Sequence, residues 1–353
     1  MDENKEVVHK RRVRYSGTHP KTFSEKYKEQ NPELYKDEVE KIIAKGKTPA
    51  GMHISIMVDE ILNFLDIKKG QVGLDATLGY GGHTMKMLEK LDGEGHIYGL
   101  DIDPIEILKT TDRIRHNGFS EEVFTPVHIN FAEVASVSEK YGKFDFMLAD
   151  LGVSSMQIDN PERGFSFKRE GVLDLRLNPQ KGMPVWEFLN GVSYIDLKEI
   201  LVENSDEPLA HEISVAILRK IKHGESIDTT TKLKEIIEEV VENDASIPKF
   251  KKKEMAKKSC QRTFQALRIE VNHEFEVLNS FLDSLPNVLK SGGKIAVLTF
   301  HSGEDRLVKK AFKQLYRDGV FAEIATDVVR PSSEECRRNS RATSTKMRWA
   351  VMA

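Results

Sequence analysis

The sequence predicts an α/β fold: a mostly parallel sheet covered on both faces by helices and interrupted once by a helical insertion. Three observations carry this. Short apolar runs alternate with helix-period segments between residues 72 and 150. The first run leads into a glycine-rich turn, and the second ends in acid. After Asp150 the alternation stops, and it resumes near Phe264.

Each element follows from its local pattern. Residues 1 to about 50 are polar and dense in charge of both signs, with a basic cluster at Lys10-Arg11-Arg12-Val13-Arg14. They read as a charged N-terminal extension. The core starts near Met52, and His53 to Val58 leads into a helix carrying Ile61, Leu62 and Leu65. Strands are expected at Val72–Asp75, His96–Asp101, Val123–His128 and Phe144–Asp150, with helices starting near Gly82, Pro104 and Ala132. Helical segments follow at Pro184–Leu189, Ile195–Val202, Glu212–Lys222 and Thr231–Val241. One long amphipathic helix is then expected over Phe264–Leu289, ended by Lys290-Ser291-Gly292-Gly293. A buried strand at Lys294–Phe300, a helix at Glu304–Tyr316 and a last strand at Met347–Met352 complete the pattern. The domains so drawn are an extension (1–50), a core (51–154 and 261–353) and a helical insertion (155–260) acting as substrate lobe.

Composition narrows the class. The chain has 353 residues, 39% hydrophobic, with a net charge of −3 and a mean hydropathy of −0.44. This fits a soluble globular protein, since no apolar run approaches the length of a membrane span. The N-terminus is charged from residue 2 onward, unlike a secretory signal. Cys260 and Cys336 lie far apart and form no metal-ligand pattern, which fits a reducing cytoplasm and no structural metal. The net charge gives no general pull on nucleic acid, so any such binding must come from local patches.

The segment Asp75-Ala-Thr-Leu-Gly-Tyr-Gly-Gly-His83, followed by Gly99-Leu-Asp-Ile-Asp-Pro104, is the first half of a nucleotide-binding unit. The acid ending the second strand, Asp101, is placed to accept ribose hydroxyls. Two features weaken a dinucleotide reading. Thr84 stands where a third small residue is wanted, and Asp75 puts negative charge beside the site of a pyrophosphate. A ligand with a ribose and a cationic amino-acid tail but no phosphate fits better, and S-adenosylmethionine is such a ligand. An NAD-dependent dehydrogenase is the rival.

In open α/β sheets the ligand lies beyond the carboxyl ends of the strands. Phe131 follows the third strand and is placed either to stack on a base or to pack on the core. Asp150 ends the strongly apolar fourth strand and points to the same cleft, although an Asp there also suits a helix N-cap. His301 follows the strand at 294–300 and is ambiguous. Lys249, Lys251, Lys252, Lys253, Lys257, Lys258, Arg262 and Arg268 form the best polyanion footprint, against the alternative of a solvated helix face. A second basic segment runs from Arg330 to Arg348.

Longer motifs carry a family resemblance. They are Asp150-Leu-Gly-Val-Ser-Ser-Met-Gln157-Ile-Asp159, Glu162-Arg163-Gly164-Phe165-Ser166-Phe167, Leu173-Asp-Leu-Arg176, Arg262-Thr-Phe-Gln-Ala-Leu-Arg268-Ile269 and Phe300-His301-Ser302. With the glycine turn, they make the chain resemble the bacterial 16S rRNA cytosine-N4 methyltransferases of the MraW/RsmH type, from about His53 to Lys313. The resemblance implies a Rossmann-like class I S-adenosylmethionine-dependent methyltransferase sheet with an inserted helical domain. It implies that Gly81, Gly82, His83, Asp101, Phe131, Asp150 and Gln157 bind the cofactor. Asp150, as a strand-end carboxylate able to hold a proton of an exocyclic amine, is also the catalytic candidate, and no metal is expected. The implied target is the N4 amine of a cytidine in the decoding centre of small-subunit rRNA. Arg163, Phe165, Arg176, Arg262 and Arg268 are the candidates for holding that RNA. The implied partner is the small ribosomal subunit, with a homodimer as an open option and no membrane. The chain departs from the family at Asn204-Ser205-Asp206-Glu207-Pro208, at Lys258-Ser259-Cys260-Gln261 and at Gly303. These departures leave a paralogue for another RNA or DNA cytosine, or a non-catalytic RNA-binding relative, as alternatives.

Overall fold

The computed structural model describes residues 55–353. The extension, its basic cluster and the His53-Ile54 lead-in lie outside the described residues.

Four strands follow the apolar runs: β1 (Val72–Asp75), β2 (His96–Asp101), β3 (Phe124–His128) and β4 (Phe144–Asp150). Between and before them lie α1 (Val58–Leu65), α2 (Gly82–Leu91), α3 (Pro104–His116) and α4 (Val134–Tyr141). Helix α3 starts where Asp103 caps the amides of Ile105 and Glu106 and Pro104 occupies the first turn. Helix α4 starts two residues later than expected. Asn130 accepts from the Ala132 amide, and a 3-10 turn at Phe131–Glu133 takes up the intervening chain.

The insertion contributes α5 (Ser155–Asp159), α6 (Val185–Gly191), α7 (Tyr194–Ser205), α8 (Ala210–Lys222), α9 (Thr230–Asn243) and α10 (Lys249–Asn272). The chain then returns through α11 (Glu274–Val288), β5 (Leu289–Thr299), α12 (Ser302–Arg317), β6 (Phe321–Ile324), α13 (Ser333–Arg338) and β7 (Lys346–Met352).

Three details differ from the sequence reading. The single helix expected over 264–289 is two helices, because His273 adopts a left-handed conformation (φ 51°) between α10 and α11. The segment 290–293 does not simply end a helix. Strand β5 already runs through it, with a register shift against β4 between Phe144 and Phe146. The lobe boundary expected at 260 falls inside α10, and the lobe's own apolar cluster extends from Leu173 to Leu267.

The strands form one seven-stranded sheet in the order β3-β2-β1-β4-β5-β7-β6. β1 to β5 pair in parallel, while β7 is antiparallel to both β5 and β6. Burial on both faces explains the continuous apolar runs. In β4, Met147 and Ala149 join one core cluster, and Phe146 and Leu148 join the other. In β5, Ile295 and Val297 face one cluster, and Ala296 and Leu298 the other. Gly73 in β1 is required by packing, since a Cβ there would lie 2.0 Å from the Phe146 ring.

Candidate active site

The carboxyl ends of β1, β2, β4 and β5 open onto a cavity of about 560 Å³. One wall is the glycine turn with Asp101, Phe131 and Asp150, and the facing wall includes Phe165, Lys168, Gln265 and Arg268.

The turn is held from behind by α3. The Thr110 hydroxyl donates to the Gly79 carbonyl. The Arg113 guanidinium donates to the Tyr80 carbonyl at 2.7 Å and lies 3.5 Å from the Tyr80 ring centroid. Gly81 has φ 80° and caps α2. A Cβ there would also meet Thr110 at 2.7 Å, so a side chain is excluded twice over. Free amides at the start of α2 then face the cavity, a setting that favours an anionic group such as a carboxylate.

Asp75 does not line the cavity. It is buried, accepts from the Thr84 hydroxyl at 2.6 Å and from the Thr77 amide at 3.1 Å, and burial pushes its carboxyl up. This corrects the sequence argument, which placed its charge beside the ligand. Thr84 is the partner of Asp75 and replaces the small residue for that reason.

Asp101 accepts the amides of Gly79 and Asp103, each at 2.8 Å. Burial pushes its carboxyl up to about 7 against the opposing pull of those two bonds. A carboxylate has about four acceptor positions, so capacity remains for further donors.

Asp150 is the least satisfied group on this wall. Its Oδ1 is buried without a hydrogen-bond partner among the described residues. Its Oδ2 lies 3.5 Å from Nδ1 of His83, whose Nε2 meets the Ile56 carbonyl at 2.9 Å. A carbonyl only accepts, so Nε2 carries a hydrogen and Nδ1 is directed at Asp150. Burial pushes the Asp150 carboxyl up to about 6, with His83 pulling it down.

Phe131 lines the cavity and packs edge-on against Phe281, with centroids 5.3 Å apart. It thus makes the core contact while also bordering the cavity. Gln157 also lines the cavity, and its amide is half-bonded: Nε2 donates to Asp103 at 3.1 Å, and Oε1 accepts the Ser154 amide at 2.9 Å. His301 caps α12 through a reciprocal bond set with Glu304. With Glu274 these two residues place ligating atoms within 4.8 Å of one another. Glu274 is already taken by a two-pronged bond from Arg268, and Glu304 Oε2 by the amides of Phe300 and His301.

The arginines expected to hold RNA divide sharply. Arg163 is buried and bonded within its own chain, which leaves it out of reach for the expected RNA contact. It donates to Asp103 at 2.6 Å and to the Arg176 and Leu177 carbonyls. Arg176 grips Asp174 and the Gly182 carbonyl, and Arg268 grips Glu274. Arg262 is half-buried and has no side-chain partner among the described residues. Phe165 does line the cavity. Sequence reasoning missed Asp103, a fully buried carboxylate that joins the β2 end to Gln157 and Arg163 of the insertion. Its signal was the Asp-Pro pair, which was read only as a helix start.

The site fits S-adenosylmethionine on its own evidence. A half-satisfied acid at the β2 end, an apolar ring beside it, free helix-start amides and an orphaned carboxylate oxygen surround one cavity. With the sheet order, these features define an S-adenosylmethionine-dependent methyltransferase. The chain belongs to the MraW methylase family, whose model matches residues 50–352. It is 63% identical to ribosomal RNA small subunit methyltransferase H 1 of Lachnoclostridium phytofermentans, covering 99% of this chain and 95% of that one. It is 59% identical to the protein of the same name in Agathobacter rectalis, over the full length of both. It is 37% identical to ribosomal RNA small subunit methyltransferase H of Pseudoalteromonas atlantica, over 84% of this chain and 97% of that one. No helix among the described residues is long and apolar enough to cross a membrane.

Proposed function

We propose that the enzyme methylates the N4 amine of a cytidine in the decoding centre of small-subunit rRNA, in the cytoplasm, with the small ribosomal subunit as its partner. The cavity-lining carboxylate of Asp150, one oxygen of which has no hydrogen-bond partner among the described residues, is the observation that carries this reading. The names of the relatives, all small-subunit rRNA methyltransferases, support the substrate class.

S-adenosylmethionine, when bound, supplies an electrophilic methyl group on sulfonium. Asp101 takes the ribose hydroxyls. The amides of Gly82 and His83 hold the amino-acid end, Gly81 shapes the turn with its own amide given to the Leu78 carbonyl, and Phe131 lies against the base. Gln157 acts through Asp103, keeping the end of β2 in place. Asp150 accepts a hydrogen bond from the target amine. A cytosine amine is a poor nucleophile because its lone pair is delocalised into the ring. Holding one N–H turns that lone pair out of plane and toward the methyl group. The Asp150 carboxylate would take the proton that the amine releases when it gains the methyl group. A carboxyl pushed up to about 6 is suited to receive it. The target base must leave its stack to enter the cavity.

The test is transfer of labelled methyl from S-adenosylmethionine to small ribosomal subunits lacking the modification, followed by nucleoside analysis. Label in N4-methylcytidine is the expected result. Label in another nucleoside would move the target. Cofactor binding with no transfer to any RNA would overturn the reading. Arg262→Ala is expected to weaken RNA binding two- to threefold without changing cofactor affinity.

A further inference from the structure

Helix α10 is continuous over 24 residues, yet its two halves do different things. The C-terminal half lines the cavity through Gln261, Gln265, Arg268 and Asn272. The N-terminal half is exposed and basic. Between residues 249 and 262 there are seven lysines and arginines against one glutamate, in a chain of net charge −3.

The two halves share a face. Phe250, Lys257, Gln261, Arg268 and Asn272 follow one another at spacings of 7, 4, 7 and 4, which keeps them on one stripe of a 3.6-residue helix. The flank beside it carries Cys260, Phe264 and Leu267 into the lobe core. The stripe therefore runs from open solvent straight into the active-site cavity. Phe250, at its outer end, is 82% exposed, the largest exposure among the large apolar side chains described. The Lys251 ammonium sits 5.7 Å from its ring centroid. Lys249, Lys253 and Lys257 have no ion-pair partner among the described residues, whereas Lys252 and Lys258 pair with Glu242 and Glu254.

We infer that this stripe is a track for single-stranded RNA, with Phe250 as a platform on which a base flanking the target stacks. The inference rests on the proposed RNA substrate. Phe250 lies about 16 Å along the axis from Gln261 at 1.5 Å per residue, a distance that a few nucleotides span. Free lysines beside one exposed ring suit a polyanion with flat bases. An apolar protein partner would need a contiguous apolar patch, and the neighbours of Phe250 are lysines. The lysines neutralise phosphates, the ring takes a base face, and the cavity receives the unstacked target.

The experiment uses the full chain, protein-free 16S rRNA and small subunits lacking the modification. Three variants are compared with the parent: Phe250→Ala, Phe250→Tyr and the triple change Lys251→Ala, Lys253→Ala, Lys257→Ala. Phe250→Ala is expected to weaken RNA binding about tenfold, and Phe250→Tyr to restore it, since only the ring is required. The triple variant is expected to lower the slope of log affinity against log salt by about 2. Cofactor affinity stays at the parent value in all three. Parent-like RNA affinity in Phe250→Ala, or a parent-like salt slope in the triple variant, overturns the inference. Loss of binding to subunits with normal binding to protein-free RNA would assign the face to a ribosomal protein and overturn it equally. If the parent itself transfers methyl to no RNA, the proposed function falls and the track with it. If the parent transfers and the variants bind as it does, the track alone falls.

Discussion

The two walls of the cavity handle charge in opposite ways. On the sheet wall, Asp101 and Asp150 are carboxylates raised by burial and only partly bonded. On the lobe side, Arg268 at the cavity and Arg163 and Arg176 behind it are all consumed by carboxylates and carbonyls of the same chain. Unsatisfied groups mark the place where a ligand completes the bonding. Satisfied ones hold the wall in shape. An arginine in a family motif can therefore be architecture, and an aspartate at a strand end is a ligand candidate only where, unlike Asp75, its carboxylate lines the cavity and is left partly unbonded.

The sharpest way to break this contrast is Asp150→Asn. It keeps the size of the side chain and removes its charge and proton acceptance. Turnover is expected to fall about 100-fold or more, with cofactor affinity changed little. Full turnover in a single-turnover assay would remove Asp150 from the chemistry.

The second test strikes the support behind the other wall. Arg163→Met leaves Asp103 buried without its charged partner, which typically costs about 3–5 kcal/mol. Chemical denaturation should show that loss. RNA affinity per folded molecule should stay near the parent value. A variant of parent stability with weak RNA binding would return Arg163 to the substrate.

The smallest effect concerns pH. Burial raises Asp101 from its ordinary 3.8 to about 7. The protonated acid therefore favours the folded, ligand-free protein. That contribution is complete below pH about 4 and is lost as pH rises through about 7. Ribose hydroxyls prefer the anion, so cofactor affinity is expected to rise from pH about 5.5 and level off above about 7. Asp101→Asn should flatten that rise by up to about tenfold in a titration series. An unchanged profile would show that Asp101 does not meet the ligand.

Much of this was legible before the structure, and the reasons differ by element. β1, β2 and β4 are short and buried on both faces, so continuous apolar runs betray them. The glycine turn and Asp101 announce themselves by spacing alone. β6 is a four-residue strand with only Phe321 buried, too weak a pattern to see. The break between α10 and α11 was hidden because a histidine, not a glycine, takes the left-handed conformation. Charge is visible in a sequence but pairing is not, which is why Arg163 read as an RNA contact. Gln157 was visible only through the family resemblance.

The lobe is threaded between two adjacent strands, and this shapes how the protein acquires its structure. Asp150 of β4 pairs with Leu298 of β5, and the Leu151 amide donates to the Leu298 carbonyl. These partners lie roughly 150 residues apart along the chain, and pairings so remote form slowly. During synthesis β4 emerges long before β5, at about 5–20 residues per second. Its apolar edge must wait uncovered while the lobe folds. Asp150 is seated only when that pairing closes. The Asp150 carboxylate is therefore among the last groups to be positioned, and refolding should restore helical signal well before methyl transfer.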